Sequence, residues 1–289
     1  MTTIEIDSAA VIRAEYVPIE GRLAYVERCG HGPAVLLVHT AGQSGVQYRD
    51  VINPLAAAGY EAVVIDLPGH GRSEPAADGP VTNLEVYATW LEQVIEQTAI
   101  EKPYVVGCSI GGKIVLDLAT RMGNGIAGAV VMAADGKRGI GSENSLRREL
   151  EDSAAPSRSD RTYLGTLAVI GQSLPTDRRE MIAAMHRRED PVISTSDLIG
   201  WSTHDLTEKL STISAPVLFV AGRDDLWLNL NSVQWSAGQI AHANVTVLDG
   251  IGHYPMEEIP NFGDVLAGWL IELDTPDSPA ERAARFPRP

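Results

Sequence analysis

The sequence predicts an α/β fold: a mostly parallel central sheet flanked by helices, with one helical cap insertion. Three observations predict it. Six short apolar runs lack polar alternation, helix-length segments separate most of them, and residues 135–214 carry no strand-like run. Strands without alternation are covered on both faces, which is the pattern of a parallel sheet with helices on each side.

The runs are residues 34–39 (AVLLVH), 61–66 (EAVVID), 103–108 (PYVVGC), 127–133 (AGAVVMA), 216–222 (PVLFVAG) and 244–248 (NVTVL). Between them, residues 48–59 read as a helix stopped by Gly59. Thr82-Asn83-Leu84-Glu85 has capping-box spacing, and the helix it opens puts Leu84, Tyr87, Leu91, Val94 and Ile95 on one face. Residues 109–122 and 259–273 read as two further helices. Inside the strandless stretch, residues 142–152, 161–173 and 177–188 look helical. The predicted division is a core of residues 1–135 and 215–273, a cap of 136–214, and a surface tail of 274–289 rich in Pro, Ala and charge.

Composition narrows the function. A 289-residue chain can bury a substantial core, and 44% hydrophobic with 21% charged residues is ordinary for a globular protein. A net charge of −15 repels phosphate backbones and anionic lipid heads, which sets nucleic acid and membrane surfaces aside as partners; the partner expected from the motifs below is a small-molecule substrate. Two cysteines, Cys29 and Cys108, are too few for a disulfide scaffold and read as free thiols in a reducing compartment. Residues 1–14 lack a cationic patch followed by an apolar stretch, and the longest apolar runs are too short to span a bilayer. The expectation is a soluble cytoplasmic protein.

The chemistry centres on Gly107-Cys108-Ser109-Ile110-Gly111, which follows an apolar strand and opens a helix. This is G-x-S-x-G in strand–turn–helix context: a sharp turn holds the serine at the carboxyl end of the sheet, and the glycines let the chains pass. The helix N-terminus favours developing negative charge there. The plainer alternative is a serine that merely caps the helix.

Together with Asp66-Leu67-Pro68-Gly69-His70-Gly71-Arg72-Ser73, this elbow makes the chain from about residue 16 to 273 resemble the α/β-hydrolase superfamily. In that family the second string looks like a structural D-x-P-G-x-G-x-S turn, so no catalysis falls on His70. The resemblance implies the α/β-hydrolase fold and a triad in the order serine, acid, histidine. His253, in Gly250-Ile251-Gly252-His253-Tyr254, matches the family's G-H loop ahead of the final helix and supplies a base of near-neutral pKa. The acid falls on Asp225, three residues after Gly222, with Asp135 and Asp224 as alternatives in that order.

The resemblance also implies an oxyanion hole from the N–H groups of Ile110 and Ala41. Thr40 departs from the glycine usual in His-Gly; either the loop takes another path, the slightly favoured option, or the hydroxyl serves near the substrate carbonyl. His39 reads as a structural histidine tying this loop down, and Gln43, Ser44 and Gln47 as polar residues that either solvate it, the favoured option, or contact substrate. Thr40, Trp201, Trp227 and Tyr254 are candidate pocket residues.

The implied activity is acyl transfer to water through an acyl-enzyme on Ser109, without metal or cofactor, on a small carboxylic ester, thioester or lactone. A serine at the elbow excludes the relatives that use aspartate, the epoxide hydrolases and haloalkane dehalogenases. Carbon–carbon bond hydrolysis of ring-cleavage products ranks second. A small-molecule receptor, or a cofactor-free non-hydrolytic member of the fold, is the further alternative. Substrate identity, oligomeric state and pathway carry no readable motif.

Overall fold

A computed structural model describes residues 11–151 and 158–274. The chain runs β1 (Arg13–Ile19), β2 (Arg22–Gly30), β3 (Ala34–Val38), α1 (Ile52–Ala57), β4 (Glu61–Ile65), α2 (Leu84–Gln97), β5 (Tyr104–Cys108), α3 (Ile110–Met122) and β6 (Gly128–Met132). There follow α4 (Glu143–Glu151), α5 (Arg158–Val169), α6 (Thr176–His186), α7 (Pro191–Thr203), β7 (Val217–Gly222), α8 (Leu230–Gln239), β8 (Ala243–Leu248), α9 (Pro255–Glu258) and α10 (Phe262–Asp274).

The strands form one sheet in the order β1-β2-β4-β3-β5-β6-β7-β8. β1 and β2 pair antiparallel, as do β2 and β4, and every later pairing is parallel. Successive residues of β3 explain the continuous apolar runs. Leu36 and Val38 join a core beneath α2 and α3, while Val35 and Leu37 join a second core beneath α1 and α10. Side chains alternate across the sheet, so a sheet packed on both faces needs apolar residues at every position. Each fully buried leucine or valine there contributes about 1.5–3 kcal/mol of transfer free energy.

The six predicted strands are present, each within about a residue of its predicted ends. Strands β1 and β2 lie outside the six predicted runs. β1 is largely exposed, which leaves its apolar signal thin. The hairpin turns at Glu20 and Gly21, with φ of 51° and 76°, a pairing of left-handed residues that suits the twist of the strands. The cap of α2 is corrected from Thr82 to Asn83, whose side chain accepts the Glu85 N–H at 3.0 Å. The predicted terminal helix starts three residues later than expected, at Phe262, behind the short α9.

Among the described residues, no strand lies between β6 and β7, and α4 to α7 fill this helical insertion. α7 was not anticipated: its Ser- and Thr-rich sequence lacks an apolar stripe. Its start is nevertheless built from Asp190, which accepts the Val192 and Ile193 N–H groups, and Pro191 in the first turn. Asp152 and residues 275–289 of the predicted tail lie outside the described residues. No described helix is long and apolar enough to cross a membrane. Cys29 and Cys108 are both buried, and neither forms a disulfide.

Candidate active site

Loops at the carboxyl ends of β3, β5, β7 and β8 converge on one place. Ser109 follows β5 with φ 57° and ψ −117°, a left-handed geometry costing about 1–3 kcal/mol in a non-glycine residue. Two hydrogen bonds hold it: its N–H donates to Met132 O at 2.9 Å, and its carbonyl accepts from Lys113 N at 3.1 Å. The flanking glycines are sterically obligatory. A Cβ on Gly107 would overlap the Gly111 carbonyl, and one on Gly111 would lie 2.5 Å from Val38 O. Ile110 is the first residue of α3, so its N–H has no partner within the helix.

His253 stands beside this elbow. The Cys108 thiol donates to the His253 carbonyl at 3.2 Å, which ties the histidine loop to the residue before Ser109. The His253 Nδ1 lies 2.6 Å from Asp225 Oδ2. A carboxylate only accepts, so Nδ1 carries the proton and Nε2 is left as the acceptor. Asp225 is 7% exposed, and its other oxygen accepts the Trp227 N–H at 2.8 Å. The two alternative carboxylates face elsewhere. Asp135 lies 3.8 Å from the Lys113 ammonium and accepts the Lys137 N–H. Asp224 accepts the Gln172 N–H at 2.8 Å.

Glu258, which no sequence motif marks, builds the histidine loop. Its carboxylate accepts the N–H groups of Gly252 at 2.6 Å and Tyr254 at 2.9 Å, one on each side of His253. It also accepts Gly171 N–H at 2.9 Å, from just beyond α5. Burial raises its pKa despite these three donors. The His253 N–H itself donates to Val169 O at 2.9 Å. An acidic pair ahead of the last helix gives no hint of this in the sequence, because the three amides converge only in the fold.

The loop after β3 carries Thr40, Ala41 and Gly42. Thr40 does not adopt a positive φ, so the threonine sits without backbone strain. Its N–H donates to Gln47 Oε1 at 2.9 Å and its hydroxyl to the same atom at 3.1 Å. The Gly42 N–H donates to Asp197 Oδ2 at 2.8 Å. Among the described residues nothing accepts the Ala41 N–H, so it is the unpaired amide between two committed ones. His39 accepts the Leu67 N–H at Nε2, and its Nδ1 faces Thr40 O, which makes it a neutral structural tie. Complete burial lowers its pKa to about 3. Gln47 corrects the reading of a solvated loop: it is 4% exposed and bridges Thr40 to Glu257.

The remaining candidates differ in setting. Trp227 is 51% exposed, meets the His253 ring edge to face at 5.0 Å, and lies over Gly165 of α5. Tyr254 is buried between the His253 and His186 rings, 4.9 and 4.4 Å away. Trp201 packs closely over Gly139 and against the core. His70 pairs with Asp197 at 2.8 Å, and Asp66 accepts the Gly45 and Arg72 N–H groups, so the 66–73 turn is structural scaffolding. Among the described residues, no group of three or more His, Cys, Asp or Glu side chains could hold a metal ion.

This arrangement brings together a half-buried hydroxyl on a strained turn, an imidazole with a free Nε2 and a buried carboxylate behind it, and two unpaired amides. Such a set can activate a hydroxyl and receive an oxyanion. A sequence profile of the alpha/beta hydrolase family matches residues 35–262. A 2-hydroxy-6-oxononadienedioate/2-hydroxy-6-oxononatrienedioate hydrolase of Cupriavidus pinatubonensis is 25% identical over 242 residues, covering 78% of this chain and 81% of that one. A pimeloyl-[acyl-carrier protein] methyl ester esterase of Xanthomonas campestris pv. campestris is 26% identical, covering 80% and 92%. The solved structure of an esterase from Exiguobacterium antarcticum shares the fold, with TM-score 0.79, 18% identity, and coverage of 90% and 100%.

Proposed function

The chain belongs to the alpha/beta hydrolase family and is a hydrolase, and we propose that it cleaves a small carboxylic ester, thioester or lactone through an acyl-enzyme on Ser109. The observation that carries this reading is the His253–Asp225 pair held against the Ser109 elbow through Cys108. His253 Nε2 takes the Ser109 proton as the hydroxyl oxygen attacks the carbonyl carbon. The oxygen that becomes negative rests on the Ala41 and Ile110 N–H groups. His253 then returns the proton to the leaving alcohol, and a water deprotonated the same way releases the acid. Asp225 orients the imidazole and stabilises its charged form.

In this reading residues 136–214 form a cap over a core made of the remainder up to residue 273, and Trp227 lines the space between them. Its exposure and its place between His253 and α5 support that role. The tight hydrogen bonding of Thr40 and the burial of Tyr254 support positioning roles for those two instead of substrate contact. A cytoplasmic setting belongs to the same proposal, supported by two cysteines that form no disulfide.

Carbon–carbon bond hydrolysis is the second reading, favoured by the likeness to the oxononadienedioate hydrolase. A panel of p-nitrophenyl esters of increasing acyl length, a lactone and a vinylogous ring-cleavage diketone separates the two. Repeated turnover of an ester or lactone, lost in Ser109→Ala, supports the first. Turnover of the diketone alone replaces it with the second, and turnover of none favours a receptor.

A further inference from the structure

The loop that bears Ala41 is held by the amides on either side of it, and both attachments lead to the helical insertion. On one side the Thr40 N–H meets Gln47 Oε1. Gln47 Nε2 donates to Glu257 Oε2 at 3.0 Å, and the same oxygen lies 2.6 Å from Nε2 of His186, the last residue of α6. The amide can be oriented only one way here, because a backbone N–H needs its oxygen and a carboxylate needs its nitrogen. Burial would raise the Glu257 pKa, but His186, Gln47 and Arg49 outweigh it, and the net shift is downward, so the carboxylate is charged.

On the other side the Gly42 N–H meets Asp197, a fully buried residue of α7. That carboxylate also takes His70 Nε2 and the Tyr87 hydroxyl, each at 2.8 Å, so its position is fixed from the core. Gly42 has no room for a side chain: a Cβ would lie 2.7 Å from the Ser194 Cβ of the same helix.

We propose that Gln47 and Asp197 are positioning residues that set the direction of the Ala41 N–H, making the insertion part of the oxyanion geometry. This rests on the reading of Ala41 and Ile110 as the oxyanion donors. A donor fixed before the reaction stabilises a developing charge without reorganising, whereas a displacement of about 1 Å costs on the order of 100-fold in rate.

The test compares an oxygen ester with its thionoester, in which sulfur replaces the carbonyl oxygen. Sulfur is a larger and weaker acceptor, so it gains less from donors fitted to oxygen. Gln47→Met keeps the side-chain volume, removes the acceptor of the Thr40 N–H, and leaves Glu257 paired with His186 and Arg49. We expect its kcat on the oxygen ester to fall about 10- to 100-fold with KM within about threefold. The oxygen-to-sulfur rate ratio should fall at least about tenfold, and Asp197→Asn should lower it too. Equal losses on both substrates in Gln47→Met, as from partial unfolding, or no loss on either, overturn the proposal. Ser109→Ala on the oxygen ester runs alongside. If it retains activity, the reading of the site fails and the proposal with it. An inactive Ser109→Ala with an unchanged ratio in Gln47→Met sinks the positioning role alone.

Discussion

His253 Nδ1 lies 2.6 Å from Asp225 Oδ2, while the two other candidate carboxylates are engaged by Lys113 and Gln172. Asp225→Asn should therefore lower kcat on a p-nitrophenyl ester on the order of 10⁴-fold, because an amide in that place favours the wrong imidazole tautomer. Asp135→Asn and Asp224→Asn should each keep kcat within a few-fold. A large loss in either, with Asp225→Asn active, would reassign the acid.

Glu258 closes the histidine loop from below by accepting three backbone N–H groups. Glu258→Leu leaves those amides buried without their acceptor, each at a cost of about 1–3 kcal/mol. Urea unfolding should show a loss of several kcal/mol, with a reduced kcat in the fraction that stays folded. Unchanged stability would mean that water replaces the carboxylate without penalty.

Two buried histidines contribute to the acid response. Burial lowers the pKa of His39 to about 3 and that of His204 to about 4, both from 6.5. The unfolded chain binds protons at these sites below pH 6.5 and the folded chain does not. Stability from both is thus complete above pH 6.5 and is lost as pH falls toward the folded values. Between pH 6 and 5 each histidine should cost about 1 kcal/mol. Denaturant unfolding of His204→Gln should recover its share of that slope; an unaltered slope would contradict the assignment.

Trp227 stands half exposed beside His253 and over α5. Trp227→Ala should raise KM for long acyl chains about tenfold and leave acetyl esters nearly unchanged, as the loss of an apolar wall does. An equal effect at every chain length would place the ring outside the pocket.

The central strands were legible because two-sided burial forces an unbroken apolar run, as in Val35 to Val38. The elbow was legible because Gly107 and Gly111 have no space for a Cβ. The first hairpin was not, since β1 is largely exposed and its Glu20-Gly21 turn lacks a strong turn signature. Gln47, Asp197 and Glu258 were not legible either. Their partners lie up to 210, 155 and 87 residues away along the chain, and buried polar convergence leaves no local pattern. Thr40, in place of the usual glycine, implies either another loop path or a hydroxyl near the substrate carbonyl. In the fold it is a residue at an ordinary φ whose hydroxyl adds a second bond to Gln47.

The most direct test of a Ser109 nucleophile activated by His253 is covalent trapping. Intact-mass analysis after brief exposure to an alkyl fluorophosphonate should show one phosphonyl group per wild-type chain, with peptide mapping placing it on Ser109. Ser109→Ala should stay unlabelled and His253→Ala should label far more slowly. Equal labelling of wild type and Ser109→Ala, or a modified residue other than Ser109, would contradict that account.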